Sequence, residues 1–150
     1  DRVGLLNEGR LDQVGSAYDV YHHPANRFVA EFTGKADFLP ATVCDGRLIT
    51  SIGVFPATSP MPPGCERGEL MVRPDDVVIV EDPHGPARIT DVEFLGGNAL
   101  YALVLEDGTR IHCLMSSTRL MREGSRVRVE ADPAHLVFMP ANAEDSTPHG

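Results

Sequence analysis

From Phe38 onward, short apolar or β-branched runs of about five residues alternate with turn-forming pairs, a pattern that predicts strands and not helices. The expected strands are Phe38 to Val43, Arg47 to Thr50, Gly53 to Ala57, Leu70 to Arg73, Val77 to Val80, Ala87 to Phe94, Leu100 to Leu105, Thr109 to Leu114 and Arg126 to Ala131. Asp45-Gly46 and Asp107-Gly108 are flanked by apolar or β-branched residues and read as hairpin turns, the second more clearly than the first. Gly96-Gly97-Asn98 reads as another turn. The stretch from Thr58 to Gly68, rich in proline and glycine, cannot sustain a regular ladder and is expected to be a surface loop. Phe38, Phe55, Phe94, Tyr101 and Phe138 are spread one per strand, as side chains that fill a small barrel would be. The fold class is therefore all-β, a small barrel or sandwich.

The first 35 residues follow a different rhythm. Residues 1–15 hold two apolar runs around Asn7-Glu8-Gly9, which predicts a hairpin, and its abrupt polar start at Asp1-Arg2 reads as a piece of something longer. Residues 16–35 predict a connector of two short helices. Ser16 with Asp19 has the spacing of a capping box for a helix from Ala17 to about Tyr21, stopped by Pro24. Pro24 suits the first position of a second helix with His23 as its cap; Phe28, Val29 and Phe32 share a face, and Gly34 is placed to end it in the left-handed conformation. The β domain then spans 36–140, and the polar residues 141–150 are expected to be a disordered tail.

Charge narrows the function classes. Thirteen Lys and Arg face 22 Asp and Glu, for a net charge of −9, which disfavours nucleic acid and anionic lipid as partners. Cys44, Cys65 and Cys113 lie far apart without a Cys-x-x-Cys pair, so neither a disulfide framework nor a zinc site is signalled, and a reducing cytoplasm fits.

Candidate chemistry is thin. Gly34-Lys35 is followed by Ala36 and has Val29 where the first glycine of a P-loop belongs, so no phosphate cradle is present and the chain is not expected to bind or hydrolyse ATP. His22 and His23 are adjacent on a helix, about 100° apart, a poor metal pair; His112 and Cys113 in a strand point to opposite faces. Asp75-Asp76 and Glu81-Asp82-Pro83-His84 lack the alternating ligands of a calcium loop and read as solvated turns. No catalytic residue, cofactor or metal is expected in this chain.

The run Asp1 to Gly15, followed by Tyr18-Asp19-Val20-Tyr21-His22-His23-Pro24-Ala25-Asn26-Arg27-Phe28-Val29-Ala30-Glu31-Phe32-Thr33-Gly34, resembles the end of the nucleotide-binding domain in ABC importer ATPases of the maltose, polyamine and ferric-iron type. Val72-Arg73-Pro74-Asp75 resembles the Val-Arg-Pro-Glu motif of their C-terminal transport-associated OB-like (TOBE) domain, with Asp75 in place of the usual Glu. Phe94-Leu95-Gly96 and Leu105-Glu106-Asp107-Gly108 resemble its later landmarks.

The resemblance implies a non-catalytic regulatory and dimerisation domain. ATP and magnesium would belong to the rest of the parent subunit, and the partners would be a second copy and, through the ATPase domain, the transporter's membrane subunits. Such a subunit is cytoplasmic and peripheral at the inner face of the membrane. The stretch Arg47 to Pro56 resembles the ferric-iron branch slightly more than the polyamine or sugar branches. A self-complementary surface is expected around Phe94, Leu95, Gly96 and Asn98 or along Leu114, Met115, Leu120 and Met121, unless those residues complete the core. The alternative is a free-standing OB-like module that binds a small ligand or oxyanion.

Overall fold

The computed structural model describes residues 1–57 and 64–141, which fall into two units, Asp1–Ala36 and a unit that starts at Asp37. Residues 58–63 of the loop expected from Thr58 to Gly68, and 142–150 of the tail expected over 141–150, lie outside the described residues.

In the first unit β1 (Val3–Asn7) and β2 (Arg10–Gly15) form the expected antiparallel hairpin. Glu8 and Gly9 both have positive φ, as a two-residue loop matched to strand twist requires. Helices α1 (Ala17–His22) and α2 (Arg27–Thr33) follow. Ser16 caps α1 as its spacing with Asp19 predicted, its Oγ accepting from the Asp19 amide at 3.0 Å and donating to the Asp19 carboxylate at 2.8 Å. The second helix departs from expectation at both ends. Its cap is Asn26, whose side chain accepts from the Val29 amide at 2.9 Å, so it starts three residues beyond Pro24. The Gln13 side chain holds the turn between the helices, accepting from Ala25 N and donating to His23 O, which leaves Pro24 outside any helix. Gly34 ends the helix in extended backbone, φ 161°, and not left-handed. The buried face is Val29 with Ala30, while Phe32 is 67% exposed.

Leu5, Val20 and Val29 make the small core of this unit. Val3, Leu6, Leu11 and Val14 of the hairpin remain exposed. Amides of β1 and β2 should therefore exchange with deuterium well before those of Leu100 to Leu105, by about 30-fold or more in protection. Equal protection would mean that a second chain covers the hairpin.

The second unit is all antiparallel β, in two five-stranded sheets around a common core. The first sheet runs β12-β6-β3-β4-β5, with β3 (Asp37–Cys44), β4 (Arg47–Thr50), β5 (Gly53–Pro56), β6 (Cys65–Val72) and β12 (Val137–Pro140). The second runs β10-β9-β8-β11-β7, with β7 (Val77–Glu81), β8 (Ala87–Phe94), β9 (Asn98–Leu105), β10 (Arg110–Ser116) and β11 (Arg126–Ala131).

Both Asp-Gly pairs turn hairpins, by different geometry. Asp45 and Gly46 both take positive φ in a two-residue loop, whereas only Gly108 does in the longer β9–β10 turn. There the Thr109 amide, 2.9 Å from Asp107 Oδ1, leads the interactions that hold the carboxyl below its usual range.

Three expectations fail in this unit. Residues 65–68, assigned to the surface loop, belong to β6, because Glu66, Arg67 and Gly68 pair with Val43, Thr42 and Ala41 of β3. The strand β12 had no expected counterpart; it pairs Phe138 with Leu70 and Pro140 with Gly68. Nor is the core built on aromatics: Tyr101 is fully buried, but Phe38, Phe55 and Phe138 are only partly so and Phe94 is exposed. Leu39, Leu70, Ile89, Leu103 and Ile111 fill the space instead, each contributing about 1.5–3 kcal/mol by leaving water.

Candidate functional site

The Arg73-Pro74-Asp75 motif leaves β6 and enters a short 3-10 helix, Pro74–Asp76, whose first turn closes through Asp76 N to Arg73 O at 3.0 Å. Arg73 is 0% exposed and is not without a partner, while Pro74 is buried and Asp75 faces solvent. A buried guanidinium is tolerated only when hydrogen-bonded. The motif is thus a staple in the core wall, and a shorter Asp at the exposed position costs it nothing structural.

Phe94, Leu95 and Gly96 lie at the tip of the β8–β9 hairpin, which Gly96 turns with a φ of 83°. Leu95 N donates to Asn98 O at 2.8 Å, closing the turn. The segment after β10 is fastened to this tip: Ser117 N donates to Gly97 O at 3.0 Å, and Ser117 Oγ bonds to Gly96 O. Tyr101 Oη, inside the core, accepts from Met121 N at 3.1 Å. The two groups of residues singled out from sequence are therefore one surface. Phe94 (64%), Leu95 (52%) and Leu120 (53%) are exposed on it. Met115 and Met121 sit lower, packed against the core and walling a pocket of about 470 Å3 with Ile79 and Arg119. Leu114 is partly buried. Met115 and Met121 thus pack against the core, while Phe94, Leu95 and Leu120 are exposed.

His22, His112 and Cys113 each have a structural setting. His22 lies against the rings of Tyr18 and Tyr21, at centroid distances of 4.3 and 4.9 Å. His112 and Cys113 do face opposite ways. Burial pushes the Cys113 thiol up to about 12, and its Sγ donates to Val77 O, so it is no nucleophile. His112 instead ties the sheets together: its amide donates to Asp37 Oδ2 at 2.8 Å and its Nδ1 lies 3.2 Å from Asp37 Oδ1. Seventy-five residues separate the pair, which no local pattern could reveal. Cys44 is disulfide-bonded, against the expectation from the wide spacing of the cysteines that no disulfide is signalled; its backbone partner at the end of the β3–β6 ladder is Cys65, 21 residues on in sequence, a neighbour only through the strand register.

Val29, in the place of a P-loop's first glycine, is a fully buried helical residue. No helix among the described residues is long and apolar enough to cross a membrane. The scarcity of basic residues also hid a cluster, for Arg88 and Arg126 are direct register partners on the outer face of the second sheet.

Two antiparallel sheets with this order make the second unit an OB-like domain. It is similar in fold to the cytoplasmic molybdate-binding protein ModG, crystallised with molybdate bound, with a TM-score of 0.55 over 68% of this chain and 94% of that one at 15% identity. Residues 70–139 match the TOBE domain family. The chain is 35% identical, over 95% of its length, to the sulfate/thiosulfate import ATP-binding protein CysA 2 of Chromobacterium violaceum, of which it covers 42%. It is 32% identical, over 93% of its length, to the spermidine/putrescine import ATP-binding protein PotA of Rubrobacter xylanophilus, of which it covers 41%.

Residues 70–139 thus carry the match to a TOBE domain, and nearly the whole chain is similar to part of the ATP-binding subunits of importers. The chain spans about two fifths of the length of these relatives.

Proposed function

We propose that this chain is the regulatory and dimerisation domain of an importer's ATP-binding subunit, non-catalytic itself, and that the whole subunit couples ATP hydrolysis to solute uptake through membrane subunits at the inner face of the membrane. The observation that carries the reading is the exposed apolar surface of Phe94 and Leu95 at the β8–β9 hairpin tip and of Leu120 on the segment after β10, which two hydrogen bonds from Ser117 fasten to that tip and the Met121 N bond to Tyr101 Oη fastens to the core. A rigid apolar patch ringed by polar residues is a surface for a partner. A second copy is the occupant that role requires, since paired nucleotide-binding domains tethered at their C-terminal ends keep a high effective concentration as they open. The uncovered hairpin residues Val3, Leu6, Leu11 and Val14 fit the same reading, as a face for the ATPase domain to cover.

Light scattering after gel filtration at micromolar concentration should give twice the chain mass. Phe94→Asp with Leu120→Asp should return it to one chain mass, weakening association by about 30-fold or more, without loss of folded circular dichroism. A monomeric wild type would overturn the dimer.

For the cargo, the stretch Arg47 to Pro56 favours ferric iron, while the two relatives above are named for sulfate/thiosulfate and for spermidine/putrescine. Competitive uptake of the three solutes by the whole transporter decides between them.

A further inference from the structure

The three cysteines of the chain have different fates. Cys113 is free and buried on β10. Cys44 is disulfide-bonded, so within the chain its bond can close only on Cys65. The backbone places the two for it, as the last register pair of the β3–β6 ladder. The two-residue loop Asp45-Gly46 makes Cys44 and Arg47 a pair that exchanges ladder hydrogen bonds, so on its other side, toward β6, Cys44 belongs to a non-hydrogen-bonded pair. The far side of β6 agrees. Ala141 N donates to Arg67 O there, and Cys65 stands two residues before Arg67, in the same alternation. Cα atoms in such pairs approach to about 4.5 Å, inside the span a disulfide bridges.

The setting differs from that of a bond sealed in a core. Val43 and Leu48 point inward and are buried, which puts Cys44 on the outer face, only half-buried and open to a dissolved nucleophile. Arg47, its register partner on β4, is exposed on that face, and Arg67 stands diagonally across on β6. A cation beside a departing thiolate favours exchange. Cys113 is the contrast, inert because burial pushes its thiol up to about 12.

We propose that the Cys44–Cys65 bond is a reversible redox clasp, opened by a dithiol reductant and closed again by a low-molecular-weight disulfide of the glutathione class. One thiolate of the dithiol attacks a sulfur of the pair, forming a mixed disulfide and releasing the other cysteine as a thiolate. The second sulfur of the dithiol then displaces the first cysteine, so two electrons and two protons pass to the protein and the reductant leaves as its own disulfide. Reclosure runs the same exchange in reverse, with oxidised glutathione leaving as two thiols. The clasp rests on the proposed seat of the subunit at the inner face of the membrane, because disulfides in a cytosol serve sensing or catalysis and are not permanent. It ties residues 44–65 into a ring that carries β4 and β5, the free edge of the first sheet, where Ile49 and Val54 stand opposite each other and exposed. Opening it loosens that edge and leaves the rest of the β3–β6 ladder paired.

The test is a redox titration of the purified chain in glutathione buffers that run from fully oxidised to the poise of a cytosol, with thiols trapped by alkylation and counted by mass after denaturation. One alkylated cysteine, Cys113, is expected at the oxidised end and all three at the reduced end, with a return to one on reoxidation. Reduction should lower the unfolding midpoint by about 10 °C, the effect of opening a loop of this length. Cys44→Ser should unfold where the reduced wild type does and ignore reductant; if that variant fails to fold, the reversible shift of the wild type carries the test. The proposal is overturned if the bond stays closed at the cytosolic poise, if it opens and does not reclose, if all three thiols are free throughout, or if the midpoint does not follow the thiol count. None of these results bears on the importer reading, which self-association and uptake test separately.

Discussion

Gly85→Ala should destabilise the β domain by about 3 kcal/mol or more, lowering its unfolding midpoint by about 10 °C. The reason is backbone against backbone. A Cβ at Gly85 would lie 2.1 Å from Val127 O, 2.3 Å from Val127 C and 2.8 Å from Arg128 N. No side-chain rotamer can absorb such a contact, so either β11 or the 82–86 turn must move. That turn is held by Gly85 N donating to Asp82 O at 2.9 Å and by Arg126 Nη1 on Gly85 O. Gly97→Ala is the control, since nothing lies within 4 Å of its added Cβ, and it should stay within about 0.5 kcal/mol of wild type. Urea unfolding of both variants checks the pair. Equal midpoints would show that the 82–86 turn shifts freely and that the close approach to β11 is not needed.

Tyr101→Ala is the second large effect, at about 4 kcal/mol, because Tyr101 is fully buried and is the one aromatic ring so placed in the shared core. Tyr101→Phe should cost only about 1 kcal/mol, the worth of the Met121 N hydrogen bond at 3.1 Å. The two variants report on different things. The alanine opens a cavity between the sheets; the phenylalanine leaves the core filled but releases the segment that carries Leu120. Tyr101→Phe should therefore weaken self-association more than its small loss of stability suggests. If the proposed self-association is as strong in Tyr101→Phe as in the wild type, the loop is held by Ser117 alone.

What could be read from sequence was what local chemistry decides. Asp45-Gly46 predicts its hairpin because both residues tolerate positive φ, and Ser16 with Asp19 predicts a helix start because both bonding groups lie within one turn. The second helix was misplaced because proline and histidine suggest a start that the longer-range bonds from Gln13 forbid. β6 was cut short because Glu66-Arg67-Gly68-Glu69 has no apolar alternation. It is a strand by partnership, lying between β3 and β12, with Gly68 in contact range of Phe138 and Met139 that no Cβ could share.

The candidate surface was legible as two separate segments, because Phe94-Leu95 and Leu120 are apolar where a small core has no room for them. That they adjoin depends on Ser117 reaching Gly96 and Gly97, a contact across 21 residues for the Oγ bond. The Arg88–Arg126 pair was invisible for the same reason. The two are neighbours only once the register of β8 with β11 is known, and a count of basic residues averages them away.

The place of β12 bears on how the domain is made. β8, β9 and β10 pair with their chain neighbours and can form as soon as they emerge, but β6 finds its second neighbour only when residues 137–140 arrive. Closing that gap carries the entropic cost of a long loop, so β12 docks late during synthesis. Until then the edge from Gly68 to Met71 presents unpaired amides and carbonyls beside Leu70 and Met71, both buried in the finished fold. A ribosome stalled before Val137 would leave that edge open to another nascent chain, which makes the last strand the domain's safeguard against aggregation.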